Sequence, residues 1–242
     1  TAESVTEGHP DKLCDTIADA VLDACLLGDP DSRVACEVLA TAGKITVAGE
    51  ITTKSMPDIP HIVCKTTRQI GYSGNYEVEV DIHDQSPNIA DAVNSETEIT
   101  AGDQGIVYGY ACRETPHFLP LPVVLAHRIT MALTEARRNH LLEWLRPDGK
   151  AQVSVEYEDD KPMRVAAVVV SAQHEPEVSQ KELREAVYQL ILVPALGKYL
   201  DQNTGVLINP SGSFVLGGFE ADTGLTGRKL MVDTYGGIVP HG

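Results

Sequence analysis

The sequence predicts an α+β protein built from repeated hairpin–helix units, and three observations carry that expectation. A chain of 242 residues, 43% apolar and 22% charged, has the composition of an ordinary globular protein. At this length it can bury roughly 70% of its unfolded surface, enough for a real core in one or two domains. Apolar alternation around short turns marks two β-hairpins, and each is followed by a segment of helical periodicity. Hairpin then helix, in the same order twice, is what diverged copies of one α+β unit would give.

The first element is a helix from Pro10, where Leu13, Ile17, Ala20, Val21 and Ala24 recur at helical spacing and Asp15, Asp19 and Asp23 step along another face. Pro10 suits the first helical position because its missing N–H would have no intrahelical partner there. Gly28-Asp29-Pro30 ends the helix. "RVACEVLATAGKITVAGEITT" then reads as two strands about a turn at Thr41 to Lys44, followed by the helical "IPHIVCKTTRQIGY". "DQSPNIADAVNSETEIT" has a proline and few large apolar residues, so it reads as a loop or short helix before the apolar "IVYGYAC". The second hairpin, "AQVSVEYEDDKPMRVAAVVVSAQH", turns at Asp159-Asp160-Lys161 and leads into the helix "SQKELREAVYQLI". A third strand pair is expected from "GLTGRKLMVDTYGG", with Gly242 reached before any helix follows.

Composition excludes several classes of function. No apolar run approaches the ~20 residues that cross a bilayer, and no basic-then-apolar leader opens the chain. The first residue is Thr1, so a processed or trimmed start is expected. Cys14, Cys25, Cys36, Cys64 and Cys112 contain no C-x-x-C pair and read as thiols in a reducing cytosol, not as a zinc site. A net charge of −16 disfavours nucleic acid and means that an anionic substrate needs local cations or metal ions.

The densest chemistry lies in "VTEGHPDKLCD", where His9, Asp11 and Lys12 crowd the start of the first helix. Asp11 could simply complement the helix dipole, with His9 an ordinary flanking residue. Alternatively, helix-start N–H groups, His9 and Lys12 attract anionic oxygens while Asp11 holds a hard cation such as Mg²⁺, and phosphate is the natural guest. "TAGDQG" (Thr100 to Gly105) is a glycine-bearing turn or a site loop, and "GLTGRK" lacks P-loop spacing. Arg228, Lys229 and Lys150 offer cations to a phosphate chain or are solvated turn residues. Glu37 and Glu50 interrupt apolar strands, pointing outward by alternation or buried and paired. Phe214, in "NPSGSFVLGG", is a core residue or an aromatic able to stack on a purine.

Taken together, "ESVTEGHPDK", "VACEV…GEITT", "QSPNIA", "AGDQGIVYGYA", "WLRPDGKAQV", "INPSGSFVLGG" and "GLTGRKLMVDTYGG" resemble, in order and across the whole chain, the S-adenosylmethionine synthetase (methionine adenosyltransferase) family. The resemblance implies synthesis of S-adenosylmethionine from ATP and L-methionine, with the triphosphate then cleaved to pyrophosphate and phosphate. The implied fold has three similar βαβ-type units about a pseudo-threefold axis: an N-terminal unit over residues 1–88, a central unit over 100–217, and the incomplete start of a third over 218–242. It implies catalytic roles for His9, Lys12, Lys150 and Asp103, and ATP contacts from His9, Asp148, Lys150, Ser213, Phe214, Asp222, Arg228 and Lys229. Methionine contacts would come from Glu50, Gln85 and Asp222, and Glu3 matches another active-site acid. Asp11 would bind Mg²⁺ and Glu37 K⁺, and residues 85 to about 94 match a gating loop. A cytoplasmic homodimer, joined through sheet faces with sites between subunits and often doubled to a tetramer, is also implied.

The sequence departs from the family pattern at Thr100, at Ser213 and in "GGFEADTG"; "GYSGNYEVEVD" is shorter than the pattern, and "TYGGIVPHG" ends before the family's glycine-rich segment. The expectation is therefore that the working protein is longer than 242 residues. The rival reading is a catalytically impaired nucleotide-binding or regulatory subunit of the same fold.

Overall fold

A computed structural model describes residues 1–84 and 105–241. The expected loop from Gln85, and with it Gln85, Thr100 and Asp103, lies outside the described residues. Helix α1 runs Pro10–Gly28 with Pro10 at its first turn. His9 caps it: the imidazole Nδ1 accepts the Asp11 N–H at 3.2 Å. Strands β2 (Arg33–Thr41) and β3 (Lys44–Thr52) form the first hairpin, with Thr41 opposite Lys44. Asp58 caps α2 (Ile59–Ile70) by accepting the His61 N–H, and left-handed Gly71 ends it.

The second hairpin, β5 (Leu145–Glu158) and β6 (Lys161–His174), turns on Asp159 and Asp160 with φ of 49° and 59°. Two left-handed residues match the right-handed twist of the strands they join. Helix α4 (Gln180–Val187) starts at a Ser179 cap and continues through a wider turn, Tyr188–Leu192, into Val193–Leu196. The apolar alternation in "YEVEVDIH" forms a strand the sequence reading passed over, β4 (Glu77–His83), parallel to β3. Likewise unread were β1 (Ala2–Val5) and the amphipathic α3 (Leu121–Arg138).

The two sheets share one plan. Their orders are β1-β5-β6-β7 and β8-β2-β3-β4, where β7 is Gly205–Ile208 and β8 is Gly224–Leu225. In each, a short edge strand pairs antiparallel with a hairpin, and a strand beyond the following helix returns parallel on the far side. The edge strands are exchanged: β1 completes the sheet of the second hairpin, and β8 completes that of the first. One face of each sheet is covered by helices. Leu13, Ile17 and Val21 of α1 meet Val38, Val47 and Ile51, while Leu125, Ile129 and Leu133 of α3 meet Val153, Val168 and Val170.

The expected third strand pair is corrected. Only Gly224 and Leu225 pair as strand, and Leu230–Asp233 is a single helical turn, α5. Gly227, at φ 74°, redirects the chain, and its N–H is taken by Asp15 at 2.9 Å, so no hairpin can continue. Val232 is 5% exposed, whereas Leu230 is 43% exposed.

Candidate active site

The exchange of edge strands sets the site. Because β1 lies beside β5, Thr6 donates its N–H to Gly149 O at 2.9 Å and its hydroxyl to Pro147 O at 2.7 Å. The start of α1 is thereby fixed against "PDGK" at the head of β5. Tyr72, after α2, donates its hydroxyl to Gly8 O and holds the approach from the other side. A cavity of about 320 Å³ opens there, walled by His9, by Asp148 to Lys150, by Ser171 and by the loop Asn209 to Phe214. Four segments far apart in the chain thus meet at one helix start. Phe214 is half-buried in this wall and not in the core; Phe219, 1% exposed, is a core aromatic and meets Tyr72 and Tyr76 edge-on.

Burial, then the charge of Lys229, lowers the His9 pKa to about 4, so the imidazole is neutral near pH 7. Since its Nδ1 accepts the Asp11 N–H, the proton belongs on Nε2, which is a donor. Asp148 is the opposite case: burial pushes its pKa up to about 6 despite bonds from the Gly218 and Gly149 N–H groups. The cavity wall therefore holds both a neutral imidazole donor and a carboxyl whose pKa is raised to about 6.

Beside the cavity, Asp11 is buried with both oxygens engaged. Oδ1 accepts the Leu225 N–H at 3.0 Å and Oδ2 meets Lys229 Nζ at 2.6 Å, with Arg228 Nε at 3.8 Å. Burial alone would raise its pKa, but the Lys229 and Leu225 hydrogen bonds and the Lys229 charge hold it below the usual carboxylate range. β8 thus delivers Arg228 and Lys229 to the start of α1, which the alternative of a solvated strand start did not foresee. Lys150 Nζ reaches Glu3 at 2.6 Å across β5 and β1.

Other expected residues lie apart from this wall. Lys12 does not line the cavity but bonds Asp233 at 2.7 Å and Asp15 at 3.1 Å, which together hold its pKa up although burial would lower it. Glu37 and Glu50 project from the uncovered face of the first sheet, as alternation predicts, and Glu37 accepts a hydrogen bond from Thr226. Ser213 lines the cavity, and Asp222 contributes to the field at both His9 and Asp148. Sequence reasoning missed Gln173, His174 and Asn209, whose side chains fasten the cavity walls; the polar run "SAQH" ending an apolar strand was the available signal.

Every lysine of the site holds a carboxylate partner, so a polyanion binding here would trade one anion for another at little cost in buried charge. Among the described residues no group of three or more His, Cys, Asp or Glu could cage a metal alone. One carboxylate is still the usual protein share for Mg²⁺ bound with phosphates and water. Asp11 fits that part on condition that Lys229 passes from the carboxylate to the phosphates.

Comparison with known proteins places the whole chain in one family. Residues 1–97 match the S-adenosylmethionine synthetase N-terminal domain, residues 98–214 its central domain and residues 216–242 its C-terminal domain. The chain is 54% identical, over 264 aligned positions, to proteins named S-adenosylmethionine synthase from two strains of Thermus thermophilus. It is 51% identical over 265 positions to one of the same name from Pseudothermotoga lettingae. Each alignment covers 100% of this chain and 67% of the relative, so the chain spans about two thirds of their length. By sequence match over its whole length, the chain belongs to the S-adenosylmethionine synthetase family.

Proposed function

We propose that this chain is a methionine adenosyltransferase, making S-adenosylmethionine from ATP and L-methionine. The observation that carries the reading is the meeting of His9, Asp148, Lys150 and Phe214 around one cavity with Lys229 and Arg228 at its edge, in a chain of this family. The methionine sulfur attacks ribose C5′, the C5′–O bond breaks, and the electron pair leaves with the triphosphate. No proton is removed from a thioether, so positioning and stabilisation of the departing charge carry the rate. His9 Nε2–H donates to the leaving oxygen, in the tautomer its cap contact selects. Phe214 stacks on the adenine, with Asp148, Ser213 and Asp222 around the nucleoside. Lys150, Lys229 and Arg228 exchange Glu3 and Asp11 for phosphate oxygens.

Asp11 would hold Mg²⁺, which when bound supplies positive charge to the phosphates, and Glu37 would hold K⁺. Lys12, Glu3 and Asp103 complete the catalytic surroundings in this reading, with Glu50, Gln85 and Asp222 toward methionine. Residues 1–88, 100–217 and 218–242 would be the units of a pseudo-threefold fold, in a cytoplasmic homodimer or dimer of dimers. The shared plan of the two sheets supports the internal repeat. Incubating the chain with ATP, L-methionine and Mg²⁺, and following S-adenosylmethionine with pyrophosphate and phosphate, tests the reading. ATP binding without any S-adenosylmethionine would favour the impaired nucleotide-binding subunit instead.

A further inference from the structure

We propose that His174 is a positioning residue for the nucleotide, setting through its Nε2 the place of the loop that carries Phe214. The inference rests on the reading of the cavity as the ATP site. The loop Asn209 to Phe214 is fastened at both ends to the last residues of β6. At its start, the Asn209 amide accepts the Ala172 N–H at 2.8 Å and donates to Ala172 O at 3.0 Å, as a neighbouring strand would. At its end, Phe214 donates its N–H to His174 Nε2 at 3.0 Å, and its carbonyl accepts the His174 N–H at 3.0 Å.

His174 is 1% exposed, and its Nδ1 lies 2.8 Å from Glu175 O. One nitrogen must donate to that carbonyl and the other must accept from Phe214, so a single tautomer satisfies the ring. The arrangement has a cost. Gln180 turns its amide nitrogen to the same Nε2 at 3.1 Å, leaving its oxygen as a buried side-chain atom without a partner among the described residues. The preceding residue extends the clamp: Gln173 accepts the Asp148 N–H at 3.2 Å and donates to Val215 O at 3.0 Å. The two walls of the cavity are thus hung from adjacent side chains of one strand end.

The test separates the two ring nitrogens. His174→Asn retains a group near Nδ1 and loses the acceptor for Phe214; His174→Gln retains a group near Nε2 and loses the Nδ1 contact. In the full chain, ATP affinity measured by calorimetry and KM for ATP should weaken about tenfold in H174N, the effect of losing one hydrogen bond. H174Q should stay within about threefold of the unaltered chain, and KM for methionine should change by less than about twofold in both, since binding at the other subsite is not touched. Melting temperatures of the two variants provide the control: a merely structural histidine would make ATP affinity follow stability whichever nitrogen was lost. Equal ATP affinity in H174N and the unaltered chain, or losses that track melting alone, overturn the inference and leave the proposed function standing. An unaltered chain that binds no ATP overturns both.

Discussion

His9 caps α1 through Nδ1 and faces the cavity through the rest of its ring, and both roles ask for the same tautomer. Replacing it by alanine removes both, whereas His9→Asn keeps an acceptor for the Asp11 N–H and loses the Nε2 donor. kcat for S-adenosylmethionine formation should therefore fall about 10²–10³-fold in both variants. Only H9A should also lose about 1 kcal/mol of stability with the cap. Near-normal kcat in H9N would reduce His9 to a capping residue. The pair His9 and Asp148 makes a second prediction, read in the metal-free protein. Asp148 has a native pKa of about 6 against 3.8 unfolded, so the native state holds the extra proton and stability falls as pH rises through that window. His9, at about 4 against 6.5, gives the opposite slope, with stability gained as pH rises toward 6.5. Between about pH 4 and 6 the two oppose each other. Asp148→Asn should leave a steeper rise of melting temperature with pH over that range; profiles parallel to the unaltered chain would sink the argument. The residue types of this site were legible because histidine, aspartate and lysine at a helix start are unusual neighbours. Their pairing was not: that Lys12 turns to Asp233 while Lys229 turns to Asp11 depends on contacts across the whole chain.

At the scale of elements, the hairpins and their helices were readable from local periodicity and turn chemistry. The exchanged edge strands were not, because β1 and β8 are four and two residues long and find their partners far along the chain. A strand that short has no period to detect; only the neighbouring sheet makes it a strand. β8 is nonetheless what brings Arg228 and Lys229 to α1, and its approach depends on Gly224. A Cβ at Gly224 would lie 2.2 Å from Pro10 O, a backbone atom that cannot yield cheaply. Gly224→Ala should push β8 off the helix start, weaken the Leu225-to-Asp11 bond at its far side, and misplace both cations. The expected outcome is a melting loss of about 2 kcal/mol, as for overpacking in a tight contact. A several-fold rise in KM for ATP should accompany it, with the hairpins' far-ultraviolet signature unchanged. A G224A protein with unaltered KM would show that β8 does not position Lys229.

For the whole molecule, each sheet has a helix-covered face and a bare one, and the bare faces carry chemistry. On the first, Leu39 lies opposite Leu225, 39% and 38% exposed, on the side that also carries Glu37 and Glu50. On the second, Val169 lies opposite Leu207, which is 53% exposed, near the Lys150–Glu3 pair. Bare faces with exposed aliphatic residues beside charged ones suit a self-complementary interface, and a twofold axis would let one patch cover its own copy. The third scale thus completes the first: Glu3 and Lys150 are partly buried and Glu37 and Glu50 exposed in one chain, but all four would be enclosed between two. A homodimer burying more than about 2,000 Å², the size at which interfaces resemble a divided core, is the expected state. Leu207→Asp places a charge where aliphatic surface would meet its partner, outside the cavity lining. It should convert the dimer to monomer in sedimentation equilibrium at micromolar concentration, and specific activity should then recover as protein concentration is raised. A stable, fully active monomer of the unaltered chain at that concentration would sink the interface and, with it, any part for a second subunit in the site.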